Sequence, residues 1–379
     1  MMGKDFFEIF VNVSKLNLIF FSMIALVPLL VWAERRVSAL IQNRLGPNRV
    51  GPLGLMQILA DLIKPLMKED FVIGKGGRKW VYYLAPCFAV IPPALVFGSL
   101  PFSAPAELPA FEFLGQTLGP YTFYFQAFHL NIGVIFALGV SSLSAYALLM
   151  GGWGSGSRYP LFGALRAAAQ TISYELALSL ALVGILLLFN SFDFLEIIAA
   201  QDRALQFSFL GKSFGVSFLP NWGIFYQPIG ALIFFIALIA ESNRIPFDLP
   251  EAEGELVSGY HTEYGGIKLI LFYIGEYAHM MVASALMVIF YFGGYSVYPF
   301  FSLENLMNIF NNSLLSSLIL FLVFLTKFFI FLFIFMWIRW SLPRFRYDRL
   351  MEIGWKVLLP WAFANALLTA LFIFIGHKS

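Results

Sequence analysis

The chain has 379 residues, of which 60% are hydrophobic and only 12% charged, with a net charge of +2 and a mean hydropathy of +0.80. An ordinary soluble domain carries about 25% charged residues. A single water-surrounded core of this size could not hide so much apolar surface, which excludes a soluble globular domain and makes lipid the solvent for most of the chain.

Crossing a bilayer takes about 20 apolar residues in a helix. Eight runs qualify, at about 16–34, 80–100, 129–150, 168–190, 222–241, 268–292, 312–338 and 356–376. Their length predicts helices, because barrel strands would alternate in polarity over about 10 residues. The first run ends in Glu34-Arg35-Arg36 without a small-residue cleavage pattern, so it reads as a retained span and not a signal peptide.

After it come the turn-rich QNRLGPNRVGP and then LGLMQILADLIKPLMKED. In the latter, Leu55, Ile58, Leu59, Leu62, Ile63 and Leu66 fall at helical spacing, with Asp61, Lys64 and Lys68 off that stripe. This pattern predicts an amphipathic helix in the membrane interface, bent or ended early by Pro65. The second run holds the one cysteine, Cys87, and the four histidines have no metal-ligand spacing. A single thiol holds no iron–sulfur cluster, so no redox centre is expected in this chain and electrons would have to come from a partner.

The fourth run contains RAAAQTISYELALSLALVGILLLF. Arg166, Gln170 and Ser173 share a helical face there, Ala167 to Ala169 leave room for a close neighbouring helix, and Glu175 lies where lipid should be. An ionisable group in a span costs about 2.5–3.5 kcal/mol on insertion scales. The face reads as the wall of a wet internal path, with a structural Glu175–arginine pair as the alternative. After the fifth run, AESNRIPFDLPEAEGELVSGYHTEYGG gathers six of the chain's 22 acids (Glu241, Asp248, Glu251, Glu253, Glu255 and Glu263) against one strong base, Arg244. Crowded, partly buried carboxylates raise one another's pKa and share protons, so the stretch reads as a proton-handling pocket. The sixth run puts Lys268, Phe272 and Glu276 on one face with His279 a turn further, His279 being more simply a satisfied core residue. Lys327, midway along the seventh run, requires a buried acid or water.

No linker, repeat or low-complexity tract divides the sequence. The predicted fold is therefore one polytopic domain over residues 1–379: an all-α integral membrane protein of eight transmembrane helices plus an interfacial amphipathic helix. The connections 34–79, 151–167, 241–268 and 339–356 carry 18 of the 24 Lys and Arg, against 5 on the other side. That bias places these loops inside and both termini on the outer side.

Four segments also carry a resemblance: WAERRVSALIQNRLGPNRVGPLGLMQILADLIKPLMKED, GALRAAAQTISYEL, AESNRIPFDLPEAEGELVSGYHTEYGG and SLPRFRYDRLMEIGWK. In order, from about residue 16 to 365, they resemble the quinone-site membrane subunit of proton-pumping NADH:quinone oxidoreductase, respiratory complex I. The resemblance implies quinone as substrate, clusters and flavin in partner subunits, and partners among the hydrophilic and antiporter-like subunits, with no nucleic acid. It implies that Glu34, Arg35, Asp61, Lys64, Arg244 and Asp248 frame a quinone chamber. Glu175, Glu241, Glu251, Glu253, Glu255, Glu263 and Glu276, with Arg166, would form a charged path coupling quinone reduction to proton translocation. The length favours a bacterial inner membrane over a mitochondrial one. A sister subunit of a membrane-bound hydrogenase or ferredoxin-linked complex shares this pattern. A secondary transporter or channel, or a structural anchor, would account for parts of it.

Overall fold

A computed structural model describes residues 2–69, 78–109, 111–113, 116–118, 120–209, 212–248, 259–300 and 313–377. Among these, seven helices are long and apolar enough to cross a membrane. They are α1 (Met2–Ile41), α3 (Lys79–Ser99), the pair α4 (Gly133–Ser141) and α5 (Leu143–Ser155), α6 (Arg158–Phe189), α10 (Gly266–Tyr291), α11 (Ser313–Ser341), and the run from α12 (Tyr347–Glu352) through a π-helical turn into α13 (Leu359–His377). The interfacial helix is α2 (Gln57–Leu66), which stops one residue after Pro65.

The expected fifth span differs. It is split into α8 (Gly223–Tyr226) and α9 (Pro228–Glu241), with Gln227 outside helical geometry between them. Pro228 lacks an N–H and suits a helix start, so it opens a new helix instead of continuing the old one. The Gln227 amide is held in the break, donating to Thr369 Oγ1 at 2.7 Å. A 14-residue helix spans about 21 Å, short of the roughly 30 Å hydrocarbon core. The third span is divided between α4 and α5 at Ser142, whose backbone stays helical and still donates to the Leu138 carbonyl. There the Ser141 and Ser142 hydroxyls donate to the Leu138 and Gly139 carbonyls, side-chain bonds that compete with the helical ladder.

The connections are not all helical. Antiparallel hairpins join β1 (Ala106–Leu108) to β4 (Tyr121–Phe123), β2 (Phe111–Phe113) to β3 (Gln116–Leu118), and β5 (Ala204–Phe209) to β6 (Lys212–Pro220). A short helix, α7 (Phe194–Gln201), precedes the last hairpin, its first turn capped by Asp193.

Helix α10 is the axis of the bundle. Every residue from Met280 to Tyr291 is buried, the pattern of a helix enclosed by protein on all sides. Close approach around it depends on missing side chains: a Cβ on Gly275 would lie 2.6 Å from the Ala89 carbonyl oxygen. Ala167 and Ala168 of α6 are buried as expected. The four basic connections meet at one end of the bundle, where Arg244 reaches Glu34, Arg344 reaches Asp248, and the Tyr82 hydroxyl donates to the Glu263 carbonyl.

Lys327 lies within electrostatic reach of an acid, Asp202, while its hydrogen bonds go to backbone. Its ammonium donates to the carbonyls of Phe292, Gly294 and Ser296 at 2.8, 3.0 and 2.8 Å, just past the end of α10, and lies 4.6 Å from the centre of the Trp222 ring. The last carbonyls of a helix have no partner within it and carry its negative dipole end, so a cation there replaces the missing donors. Replacing Lys327 by Met strands these acceptors, each worth about 1–3 kcal/mol. The unfolding temperature of the solubilised complex carrying Lys327→Met should fall by several degrees; an unchanged value would show that these contacts are idle.

Candidate functional site

Glu34 ends the lipid-facing part of α1 and is only 5% exposed. Its carboxylate accepts from Arg244 at 3.0 Å and from the Tyr277 hydroxyl at 2.7 Å, and it is ion-paired with Arg339. The Arg244 guanidinium also lies over the Tyr277 ring, 3.7 Å from its centre. Burial works against the Arg244 charge, but Tyr277, Glu34 and Glu276 outweigh it and raise its pKa above the ordinary arginine value. Four elements converge here: α1, the loop after α9, α10 and α11.

On one side of Tyr277 is a cavity of about 470 Å³ between α1, α2 and α10. Most of its wall is apolar, including Ile24, Val27, Val31, Ile58 and Ile274. Its polar lining comes from Arg35, Gln57, Asp61, Lys64, Lys68 and the two tyrosines Tyr273 and Tyr277. Arg35 and Asp61 are joined at 2.5 Å, and Gln57 donates to the other Asp61 oxygen at 2.9 Å. Such a volume with apolar walls and a few grouped polar atoms suits a flat apolar ligand with a polar head.

On the other side lie the buried acids. Glu276, one residue before Tyr277, accepts from the Tyr260 hydroxyl at 3.0 Å. A small cavity holds Glu276, Glu241, His279, Asn243 and Ser144 on its wall, and a second holds Glu241, His279 and Ser141. Glu241 is 8% exposed, at the last position of α9. Glu175 of α6 is close enough to Glu241 for the two charges to interact. The series Glu34, Glu276, Glu241, Glu175 thus runs from the end of α1 into the interior of the bundle.

The expected residues divide accordingly. Arg35, Asp61 and Lys64 share the large cavity, whereas Glu34 and Arg244 form the buried cluster behind it and do not line it. Asp248 pairs with Arg344 at 2.9 Å. Glu251, Glu253 and Glu255 lie outside the described residues. Glu263 is exposed and contributes its backbone carbonyl to Tyr82, so the structure does not gather it with the buried acids. Lys268 points at the rings of Tyr82 and Tyr83. On the Arg166, Gln170, Ser173 face the polar groups engage neighbouring protein. Gln170 donates to the carbonyls of Ala240 and Phe247, Ser173 accepts from the Trp355 indole, and Arg166 lies over the Tyr347 ring. Among the described residues no ion pair joins Arg166 to Glu175. Sequence reasoning missed Tyr277 and Arg339; the signal for Tyr277 was its place beside Glu276, and Arg339 was visible only as loop charge. No group of three or more His, Cys, Asp or Glu able to hold a metal ion occurs among the described residues.

Fold and site together define a polytopic helical membrane protein with a large apolar side cavity and a row of acids leading away from it, Glu34 and Glu241 buried and Glu276 and Glu175 partly buried. Comparison with known proteins narrows this further. The NADH dehydrogenase family model matches residues 14–370. The chain is 56% identical over 383 aligned residues to the NADH-quinone oxidoreductase H subunit of Bdellovibrio bacteriovorus, covering 99% of both chains. It is 44% identical to the H 2 subunit of the same enzyme in Geobacter sulfurreducens and 43% identical to the H 1 subunit in Geobacter metallireducens, covering 96% of each chain in both cases. The chain belongs to the NADH dehydrogenase family.

The two ion pairs at the site differ in burial, which sets a test. Glu34→Gln strips the countercharge from Arg244, whose side chain is 6% exposed, and should lower stability by about 3 kcal/mol or more. Asp61→Asn breaks a pair whose members are 46% and 28% exposed and should cost less than about 1 kcal/mol. Unfolding of the two variants in detergent should rank them in that order, and equal losses would contradict the assignment of Glu34 as the buried hub.

Proposed function

We propose that this chain is the membrane component of a bacterial NADH:quinone oxidoreductase that forms the mouth and wall of the quinone chamber and the start of the charged path coupling quinone reduction to proton translocation. The observation that carries the reading is Tyr277. Its ring lines the large cavity while its hydroxyl donates to Glu34, and the next residue back, Glu276, opens the series of buried acids. A ligand in the cavity and a proton on those acids would therefore be separated by a single turn of one helix.

Quinone reduction consumes two electrons and two protons. The electrons would come from a cluster in a partner subunit, as the family resemblance implies. Arg35, Asp61 and Lys64 would receive the quinone head as it passes from lipid, the isoprenoid tail lying along the apolar wall. Negative charge arising on the quinone would bias the neighbouring Arg244–Glu34 pair, and through it Glu276. Ionised groups in this low-dielectric end of the bundle interact over several ångströms far more strongly than in water. Glu241 and Glu175 would pass the protonation change into the membrane arm, and Glu251, Glu253 and Glu255 join the path by family resemblance. The bias of basic residues towards these connections supports a cytoplasmic position for this end at the inner membrane, and the antiporter-like subunits would lie beyond Glu175. The relatives' names favour this reading over the hydrogenase-type one.

Glu175→Gln should leave assembly intact while reducing NADH-driven quinone reduction and proton pumping together by at least about 10-fold, since it removes a titratable site from the path. Proton uptake measured in vesicles alongside NADH oxidation checks this, and normal pumping in the variant would remove Glu175 from the path.

A further inference from the structure

One titratable side chain beside the acids has no assigned task. His279 follows Glu276 by three positions on α10, so the two share a helical face. A core histidine is expected to have its ring nitrogens satisfied. His279 does not: its Nε2 is buried and makes no hydrogen bond among the described residues. An unmet buried polar atom costs about 1–3 kcal/mol, which an apolar side chain in the same place would avoid.

The position of the ring supplies a reason to bear that loss. His279 and Glu241 are on the walls of both small cavities, the first shared with Glu276 and the second with Ser141. The imidazole therefore shares one cavity with both carboxyl groups and a second with Glu241 alone. The cavities leave about 20 and 10 Å³ for the centre of a water molecule, room for about one each. The groups facing the ring from other elements are Glu241, Ser242 and Asn243 at the end of α9, Ser141 and Ser144 on either side of Ser142, and Tyr260. No lysine or arginine lines either cavity, so an imidazolium there would meet two acids and no fixed positive charge.

We infer that His279 is a proton-relay residue that connects Glu276 to Glu241. The inference rests on the acidic path proposed above and supplies its middle member. A proton from the Glu276 carboxyl adds to one ring nitrogen, directly or through a cavity water, and the proton on the other nitrogen leaves to the Glu241 carboxylate. The ring is neutral before and after, no electrons move, and rotation of the ring restores the first tautomer. Histidine suits the task because one ring nitrogen can accept a proton while the other gives one up.

The test uses the intact complex carrying His279→Gln or His279→Leu, with Glu241→Gln as reference. Three quantities are read: yield of assembled complex, rate of NADH-driven quinone reduction, and the ratio of that rate in H₂O and D₂O. Both His279 variants should assemble, lose at least about 10-fold in quinone reduction, and show a larger solvent isotope effect than the parent as proton transfer becomes limiting. Parental rates overturn the relay. So does a slower rate with an unchanged isotope effect, which assigns His279 to packing, and so does failure of both variants to assemble. If Glu241→Gln retains full turnover and pumping, it is the acidic path itself that falls, whatever His279 does.

Discussion

Everything at the working end of this bundle is organised around one buried carboxylate, Glu34, held between Arg244 and Arg339 with the Tyr277 hydroxyl as a third donor. A carboxylate alone at this depth would be driven to its neutral form. Two guanidinium groups and a phenol keep it satisfied, and each comes from a different element. The cluster therefore fixes the end of α1, the loop after α9, α10 and α11 relative to one another. Together with the core packing around it, the cluster sets how Tyr277 is turned, and Tyr277 lines the large cavity beside the first member of the acid row.

That arrangement has a consequence for coupling. Buried charges respond to one another over distances at which surface charges are screened. On the proposed function, an event in the cavity would reach Glu276 through Tyr277 and Arg244 without any long-range rearrangement. The break at Gln227 is buried within protein, where backbone freed from helix at membrane depth is tolerated.

Much of this was legible in the sequence, for identifiable reasons. Long apolar runs have few physical alternatives to membrane helices, so seven of the expected spans were found where composition placed them. The eighth is present as a shorter apolar helix; hydropathy does not register that Pro228 starts a helix while Gln227 is bonded across to Thr369. The three hairpins were missed because strands of three to nine residues, lying in connections, leave little periodic trace. Single residues were harder. Glu34 and Arg244 are 210 positions apart, and helical spacing carries no information about such a pair. Gln170 looked like part of a wet face, yet a glutamine in an apolar helix can equally well staple two carbonyls of a neighbour. Lys327 was expected to need an acid or water; Asp202 is within reach of its charge, and its hydrogen bonds go to carbonyls just past the end of α10. The family resemblance, not periodicity, pointed to Arg35, Asp61 and Lys64 as a group, and the structure brings all three to the same cavity.

Redox-induced infrared difference spectroscopy on the intact complex addresses the coupling of cavity to acids without intermediate assumptions. Reducing the bound quinone should produce a carboxyl-stretch change that reports protonation of a buried acid, and that change should vanish when Glu241 is replaced by Gln. The same band persisting unaltered in Glu241→Gln would mean that quinone reduction does not reach the acids beyond Glu276, and the path from cavity to bundle interior would have to be abandoned.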